Sequence, residues 1–153
     1  MIDYDKIASD YARHRQVHPK VLEGLITTSG IGAASKALEV GCGTGNYIIA
    51  VQGLVDCSCW GIDPAEQMLS MAGEGLAKVS FQCGRAERID FPRNFFDLVF
   101  SVDVIHHVGD RLAYFQEAHR VLKTGGKVCT VTDSEWIVRH RQPLALLPRD
   151  GRG

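Results

Sequence analysis

Apolar residues fall along this chain in short runs, and stretches of helical spacing separate the runs. Ala37, Leu38 and Val40 read as the end of a buried strand. Gly41, Gly43 and Gly45 follow at every second position, and a helical run, Tyr47-Ile48-Ile49-Ala50-Val51, then predicts a helix from Asn46 to about Val51 that ends near Gly53. The same grammar repeats downstream. A strand through Cys57-Ser58-Cys59-Trp60-Gly61-Ile62 ends in Asp63, and Ala65 to Leu69 start a helix whose apolar side is Met68, Leu69, Met71 and Ala72. Val79 to Cys83 and Asn94 to Ser101 are further strands, the latter hydrophobic and β-prone throughout. Leu112, Phe115, Ala118, Val121 and Leu122 then repeat at helical spacing, with Asp110 a candidate N-cap and Lys123-Thr124-Gly125-Gly126 a stop. Lys127 to Thr132 is a fifth strand. Upstream, Ile7, Tyr11 and His14 share one helical face, His18-Pro19 interrupts it, and Val21, Leu22, Leu25 and Ile26 form a second helix ending at Ser29-Gly30-Ile31-Gly32. Five β/α units in series predict an α/β fold, a doubly wound, mostly parallel sheet with helices on both faces.

A strand, a glycine turn and a helix form a layout in which backbone can approach a ligand closely. Glycines alone are weak evidence, and Glu39 in the strand just before them is the discriminating residue. A dinucleotide site has the pattern G-x-G-x-x-G with a pyrophosphate on the helix N-terminus; here Asn46 stands where that pattern differs. A carboxylate beside the loop repels a pyrophosphate and attracts an ammonium or sulfonium. Asp63, at the end of the neighbouring strand, falls on the same rim of a doubly wound sheet, where a carboxylate can accept from both hydroxyls of a ribose. Asp63 can equally cap the helix that follows it, and the two roles are compatible.

The segment Leu38-Glu39-Val40-Gly41-Cys42-Gly43-Thr44-Gly45 resembles motif I of the class I S-adenosylmethionine-dependent methyltransferases, of the small-molecule, UbiE-like type. Asp63 matches motif II, Phe96-Asp97-Leu98-Val99-Phe100-Ser101 resembles motif IV, and Glu117-Ala118-His119-Arg120-Val121-Leu122-Lys123-Thr124-Gly125-Gly126-Lys127 is similar to the segment leading into the fifth family strand. The resemblance implies a Rossmann-like methyltransferase fold that binds S-adenosyl-L-methionine and releases S-adenosyl-L-homocysteine. It implies a cofactor site in which Glu39, Gly41, Cys42, Gly43 and Gly45 hold the methionine part. Asp63 holds the ribose, with Pro64 and Met68 beside it. Arg85, Ala86 and Glu87 lie along the adenine edge, although Glu87 could equally begin a turn with Arg88. Ser101, Val102 and His106 complete the set. For chemistry the candidates are His106 and His107, either of which could serve as a base near neutral pH, and Tyr11 in an N-terminal segment that folds over the site in relatives, where Arg15 is a further contact candidate. A histidine at such a junction can as well be structural.

Length and charge narrow the alternatives. A chain of 153 residues predicts a single domain with an ordinary core; we divide it into N-terminal lid helices (1–34), a cofactor-binding core (35–132) and a tail (133–153). The composition is 45% hydrophobic and 23% charged with a net charge of −1, which offers no general argument for nucleic acid as a partner. No apolar run is long enough to span a membrane, and the acidic opening does not resemble a signal peptide, so a cytoplasmic protein is expected. Five cysteines without a regular framework argue against a disulfide scaffold. Cys57-Ser58-Cys59 has the wrong spacing for a zinc knuckle, no metal is expected, and Cys59, Cys83 and Cys129 read as small buried hydrophobes; a thiol-held metalloid is the alternative. The expected partner is a small-molecule methyl acceptor.

The family sheet normally continues with two more strands, whereas the residues after Thr132 include Pro143 and Pro148 and are too few for a helix plus a hairpin. The last two strands are therefore expected to be missing and the tail divergent or truncated. That would leave strand five at the sheet edge, open to the tail or to a second copy of the chain as a homodimer.

Overall fold

The computed structural model describes residues 17–72 and 78–132. The expected lid helix over Ile7, Tyr11 and His14, and the tail beyond Thr132, lie outside the described residues. Within them the order is α1 (Pro19–Ser29), β1 (Lys36–Val40), α2 (Asn46–Val55), β2 (Ser58–Asp63), α3 (Glu66–Ser70), β3 (Val79–Cys83), β4 (Phe96–Val102), a 3-10 turn (Ile105–His107), α4 (Arg111–Val121) and β5 (Leu122–Val131). The strands form one sheet in the order β3-β2-β1-β4-β5, every pair parallel.

Both faces of the sheet are covered, which explains why the strands read as continuous apolar runs. Ala37, Cys59, Leu98, Phe100 and Cys129 point to the face filled by Leu25 of α1 and Tyr47, Ile48 and Val51 of α2. Leu38, Val40, Ile62, Val99 and Val128 point to the other, against Tyr114, Ala118 and Val121 of α4. Pro19 starts α1 at a position where a missing N–H is no loss, and Gly30, in the left-handed region, ends it by donating to Ile26 O. Asp110 caps α4 by accepting from Ala113 N at 3.0 Å.

Three expectations need correction. Helix α2 does not stop near Gly53 but runs through Val55, because Asp56 adopts a left-handed conformation (φ 60°) and donates its N–H to Gln52 O. The presumed stop Lys123–Gly126 lies within β5, which is registered Phe96 with Leu122 and then Leu98 with Lys127. The four residues 123–126 thus bulge opposite Asp97, and Gly125 at φ 86° makes the turn. Asp97 has a use there: its carboxylate accepts from Lys36 N at 2.8 Å and from Lys123 Nζ at 3.3 Å, tying the starts of β1 and β5 to β4. Finally, Cys83 is exposed rather than buried.

The β3-to-β4 connection is held by one ion pair. Arg120 donates to Glu117 at 2.8 Å and to the carbonyls of Phe91 and Ile89 at 2.9 and 2.6 Å, while Glu117 accepts from Ile89 N at 2.9 Å. This seats Phe91 in an aromatic cluster with Trp60, Phe95 and Phe96. The hydrogen bonds from Arg120, opposed by partial burial, hold the Glu117 carboxyl below its ordinary 4.5. Because the folded value is depressed, the pair's contribution is complete above pH 4.5 and lost as the pH falls through the folded value. Arg120→Ala is therefore expected to cost about 2 kcal/mol in denaturant unfolding at neutral pH, and to lessen the loss of stability on acidification. An unchanged acid slope in the variant would show that Glu117 does not depend on Arg120.

Candidate functional site

The strand order reverses at β1, with β2 on one side and β4 on the other, and in open α/β sheets that switch point opens a crevice at the carboxyl ends of the strands. A cleft of about 370 Å³ lies there, within the usual range for small-molecule sites. Its walls are Val40 and Gly41 leaving β1, Asp63 and Pro64 leaving β2, Gly84 to Glu87 leaving β3, and Val104, His107 and Val108 after β4.

The glycine loop is stitched to the end of β2. Gly41 N and Cys42 N both donate to Ile62 O, at 2.8 and 3.0 Å, and Gly45 N donates to Cys42 O at 2.8 Å. Gly43 N donates to Asp63 Oδ2 at 2.9 Å, while Asp63 Oδ1 accepts from Ala65 N at 2.8 Å. Asp63 thus shapes the loop and the start of the next helix. A carboxylate has about four acceptor positions, so it keeps capacity toward the cleft, where it remains half-buried. Two of the glycines are also required by the packing around them. A Cβ on Gly41 (φ 71°) would lie 2.6 Å from Val104 Cγ2, and one on Gly45 (φ 84°) 2.6 Å from the Phe81 ring. Protein side chains fill the space that a Cβ at either position would take.

Glu39 is 1% exposed, and its Oε1 accepts from Ile48 N at 3.1 Å at the first turn of α2. It lies behind the loop and is absent from the cleft wall. Its charge is nevertheless felt: burial, and then the Glu39 and Asp63 carboxylates, push the Cys42 thiol far above its usual range. Cys42 is therefore no nucleophile at neutral pH, and it packs under Gly61, where an added Cβ would meet its sulfur at 2.8 Å.

Of the other residues singled out from the sequence, Gly41, Asp63, Pro64, Arg85, Ala86, Glu87 and His107 come together around the cleft. Gly43, Gly45 and Met68 are absent from the cleft wall, the Met68 methyl lying 3.3 Å from where a Gly43 Cβ would be. Ser101 and Val102 are buried in the sheet and do not reach the cleft; the Ser101 hydroxyl faces that of Tyr114 instead. His106 is exposed beside His107, ring centroids 4.2 Å apart, but does not line the wall. Glu87 borders the cleft and accepts from Gly109 N at 3.2 Å, and Arg88 N donates to Arg85 O, so the turn at Arg88 and a place at the site coexist. Tyr11 and Arg15 lie outside the described residues.

Sequence reasoning did not single out Val104, whose contact with Gly41 fixes the far wall, nor Thr44 and Asn46 as side chains. The Thr44 Oγ1 and Asn46 Nδ2 atoms are buried in the loop without a partner, a condition native structures rarely leave unexplained. The signal was available: a hydroxyl and an amide inside a glycine loop are polar groups without a structural need. Among the described residues, no group of three or more His, Cys, Asp and Glu side chains converges as a metal site.

A parallel sheet wound from a glycine loop backed by one carboxylate and faced by another defines a Rossmann-like methyltransferase fold. Residues 38–130 match the methyltransferase domain family, and the chain belongs to the class I S-adenosylmethionine-dependent methyltransferases. It is 31% identical, over a 152-residue alignment taking in 91% of this chain, to a demethylmenaquinone methyltransferase of Geobacillus kaustophilus, and spans 65% of that relative's length. In structure it is similar to the YcgJ protein of Bacillus subtilis (TM-score 0.68, 29% identity, 74% of this chain and 52% of that one). It also resembles in fold a Haemonchus contortus phosphoethanolamine N-methyltransferase in complex with S-adenosyl-L-methionine (TM-score 0.71, 24% identity, 89% and 36%).

The wall contact yields a direct test. Gly41→Ala is expected to cost about 2–3 kcal/mol from left-handed backbone strain plus the clash with Val104. Adding Val104→Ala should return about 1 kcal/mol in a double-mutant cycle. Strict additivity of the two substitutions would contradict the packing described.

Proposed function

We propose that the chain binds S-adenosyl-L-methionine in the cleft at the switch point and transfers its methyl group to a small-molecule acceptor. One observation supports this above the rest: Gly41, Asp63, Ala86, Glu87 and His107, from four separate segments, surround one cleft beside a loop flanked by two carboxylates. That negative surrounding favours a ligand carrying a sulfonium and an ammonium and opposes a pyrophosphate. The unpartnered Thr44 hydroxyl and Asn46 amide fit the same ligand, because they can donate to the carboxylate of its amino-acid end. The cofactor supplies an electrophilic methyl group.

In this reading Asp63 accepts from the ribose hydroxyls with the acceptor positions that Gly43 N and Ala65 N leave open. The Ala86 N–H and the Glu87 carboxylate address the adenine edge. Glu39 acts on the amino-acid end through its field and by fixing the first turn of α2, rather than by direct contact. The exposed pair His106 and His107 stands at the mouth, where a histidine could take a proton from an acceptor whose nucleophile needs one. Alignment of donor and acceptor and exclusion of water are the protein's main tasks in such a displacement. The cytoplasm fits a chain whose five cysteines are all free. Among the described residues β5 is the edge of the sheet, and pairing of that edge with a second copy belongs to the proposal. A monomer by light scattering would remove this last part alone.

Calorimetry with S-adenosylhomocysteine tests the central reading. Asp63→Ala should weaken binding by about 1–3 kcal/mol, the cost of removing an acceptor from buried donors, with the variant's folding checked by circular dichroism. Glu39→Gln, which keeps the acceptor to Ile48 N and removes the charge, should weaken it less. Full affinity in a folded Asp63→Ala variant would reject the site. Binding with no product across a panel of amine, oxygen, carbon and thiol acceptors would favour a cofactor-binding module without turnover.

A further inference from the structure

Cys57 and Cys59 sit at the opposite end of the sheet from the cleft, where β2 begins. Their sulfurs are 3.4 Å apart, and the Cys59 sulfur also lies 3.6 Å from the Cys57 carbonyl. Nothing in the proposed transfer uses them. Both side chains are buried, at 0% and 1% exposure, among the apolar residues beneath α1 and α2. Cys59 is fixed in the ladder, in register with Ala37 and Val79. Cys57 is outside it, in the short connection after the left-handed Asp56, and so can move toward its neighbour without breaking a strand hydrogen bond. We propose that Cys57 and Cys59 form a peroxide-oxidisable dithiol that closes to an intrachain disulfide.

The roles within the pair follow from its surroundings. The Cys59 thiol as hydrogen-bond donor lowers the Cys57 value to about 7, against burial and the Asp56 charge and with help from Lys78. Cys57, outside the ladder and within the field of Lys78, is the attacking thiolate, and Cys59, fixed in the strand, is the resolving group. The Cys57 thiolate attacks a peroxide oxygen, giving a sulfenic acid and hydroxide. The Cys59 sulfur then attacks the Cys57 sulfur, forming the S–S bond and releasing water. Hydrogen peroxide suits a buried pair because it is small; a bulky disulfide would have to displace the end of α2.

The test uses the full chain carrying Cys83→Ser, which removes the exposed competing thiol. After treatment with dilute hydrogen peroxide, the intact mass is expected to fall by two hydrogens. Peptide mapping should place the link between Cys57 and Cys59, and a dithiol reductant should restore both thiols. In Cys59→Ser, which keeps a hydrogen-bond donor beside Cys57 and removes the resolving sulfur, the reaction should stop at a sulfenic acid on Cys57, trapped by a dimedone reagent. If that variant does not fold, the mapped link in the Cys83→Ser chain decides alone. The proposal is overturned if both thiols remain open to alkylation after unfolding, or if Cys57 goes to the sulfinic acid without ever linking.

Discussion

The cross-link between the ends of β1 and β2 governs the site. Two backbone N–H groups of the glycine loop share the Ile62 carbonyl, and a third is held by Asp63. A loop of consecutive turn residues has little to hold it on its own, and conformational entropy opposes any single arrangement. Here its arrangement is set by the strand next door, so the loop and the Asp63 carboxylate move as one piece. The same carboxylate starts the next helix through Ala65 N. Position of the acid and shape of the loop are thereby one variable. A substitution at Asp63 changes the charge of the cleft and the path of its wall together.

The opposite end of the sheet depends on polar anchors instead of turns. Asp97 gathers Lys36 N and the Lys123 ammonium, and Lys36 continues over the Phe95 ring at 4.3 Å, a cation–π contact. Arg120 and Glu117 hold the irregular crossing from β3 to β4, which carries Ala86 and Glu87 to the cleft. Exposed ion pairs contribute little, but this one is three-quarters covered, with side-chain exposures of 28% and 22%, and it satisfies backbone groups that have no ladder partner. The family-like string around Glu117 and Arg120 thus has a mechanical meaning. It fixes a connection that contains no helix of its own.

Most of the architecture was legible because period and punctuation agree. Apolar runs bounded by glycine, proline or aspartate gave all five strands, and Glu39 and Asp63 stood out as acids near the ends of neighbouring strands. What could not be read was direction and depth. Sequence shows that Glu39 neighbours the glycines but not that its carboxylate turns back to the first turn of α2. It shows that Gly41 has no side chain, but the reason, Val104, lies more than sixty residues away and arrives only through the β1–β4 pairing. The resemblance placed Ser101 at the site, yet in β4 its side chain is buried in the sheet packing. The bulge at 123–126 was hidden because a helix stop and a bulge use the same residues, glycine and small polar groups.

The segment from Asp103 to Val108 connects the glycine loop to the histidine pair. Its backbone is pinned by Asp103 N donating to Val131 O at 2.8 Å, with Asp103 itself at φ 58°. Val104 then fills the hollow at Gly41, and His107 reaches the cleft one turn later. A non-glycine residue in that region costs of order a kilocalorie per mole and persists only where neighbours over-determine it. Here the β5 ladder on one side and the Gly41 hollow on the other do so. The histidine pair is consequently placed by the same contact that shapes the loop. The cleft wall beside His107 therefore has its position set by Gly41, so the shape of that side of the cleft is a property of the fold.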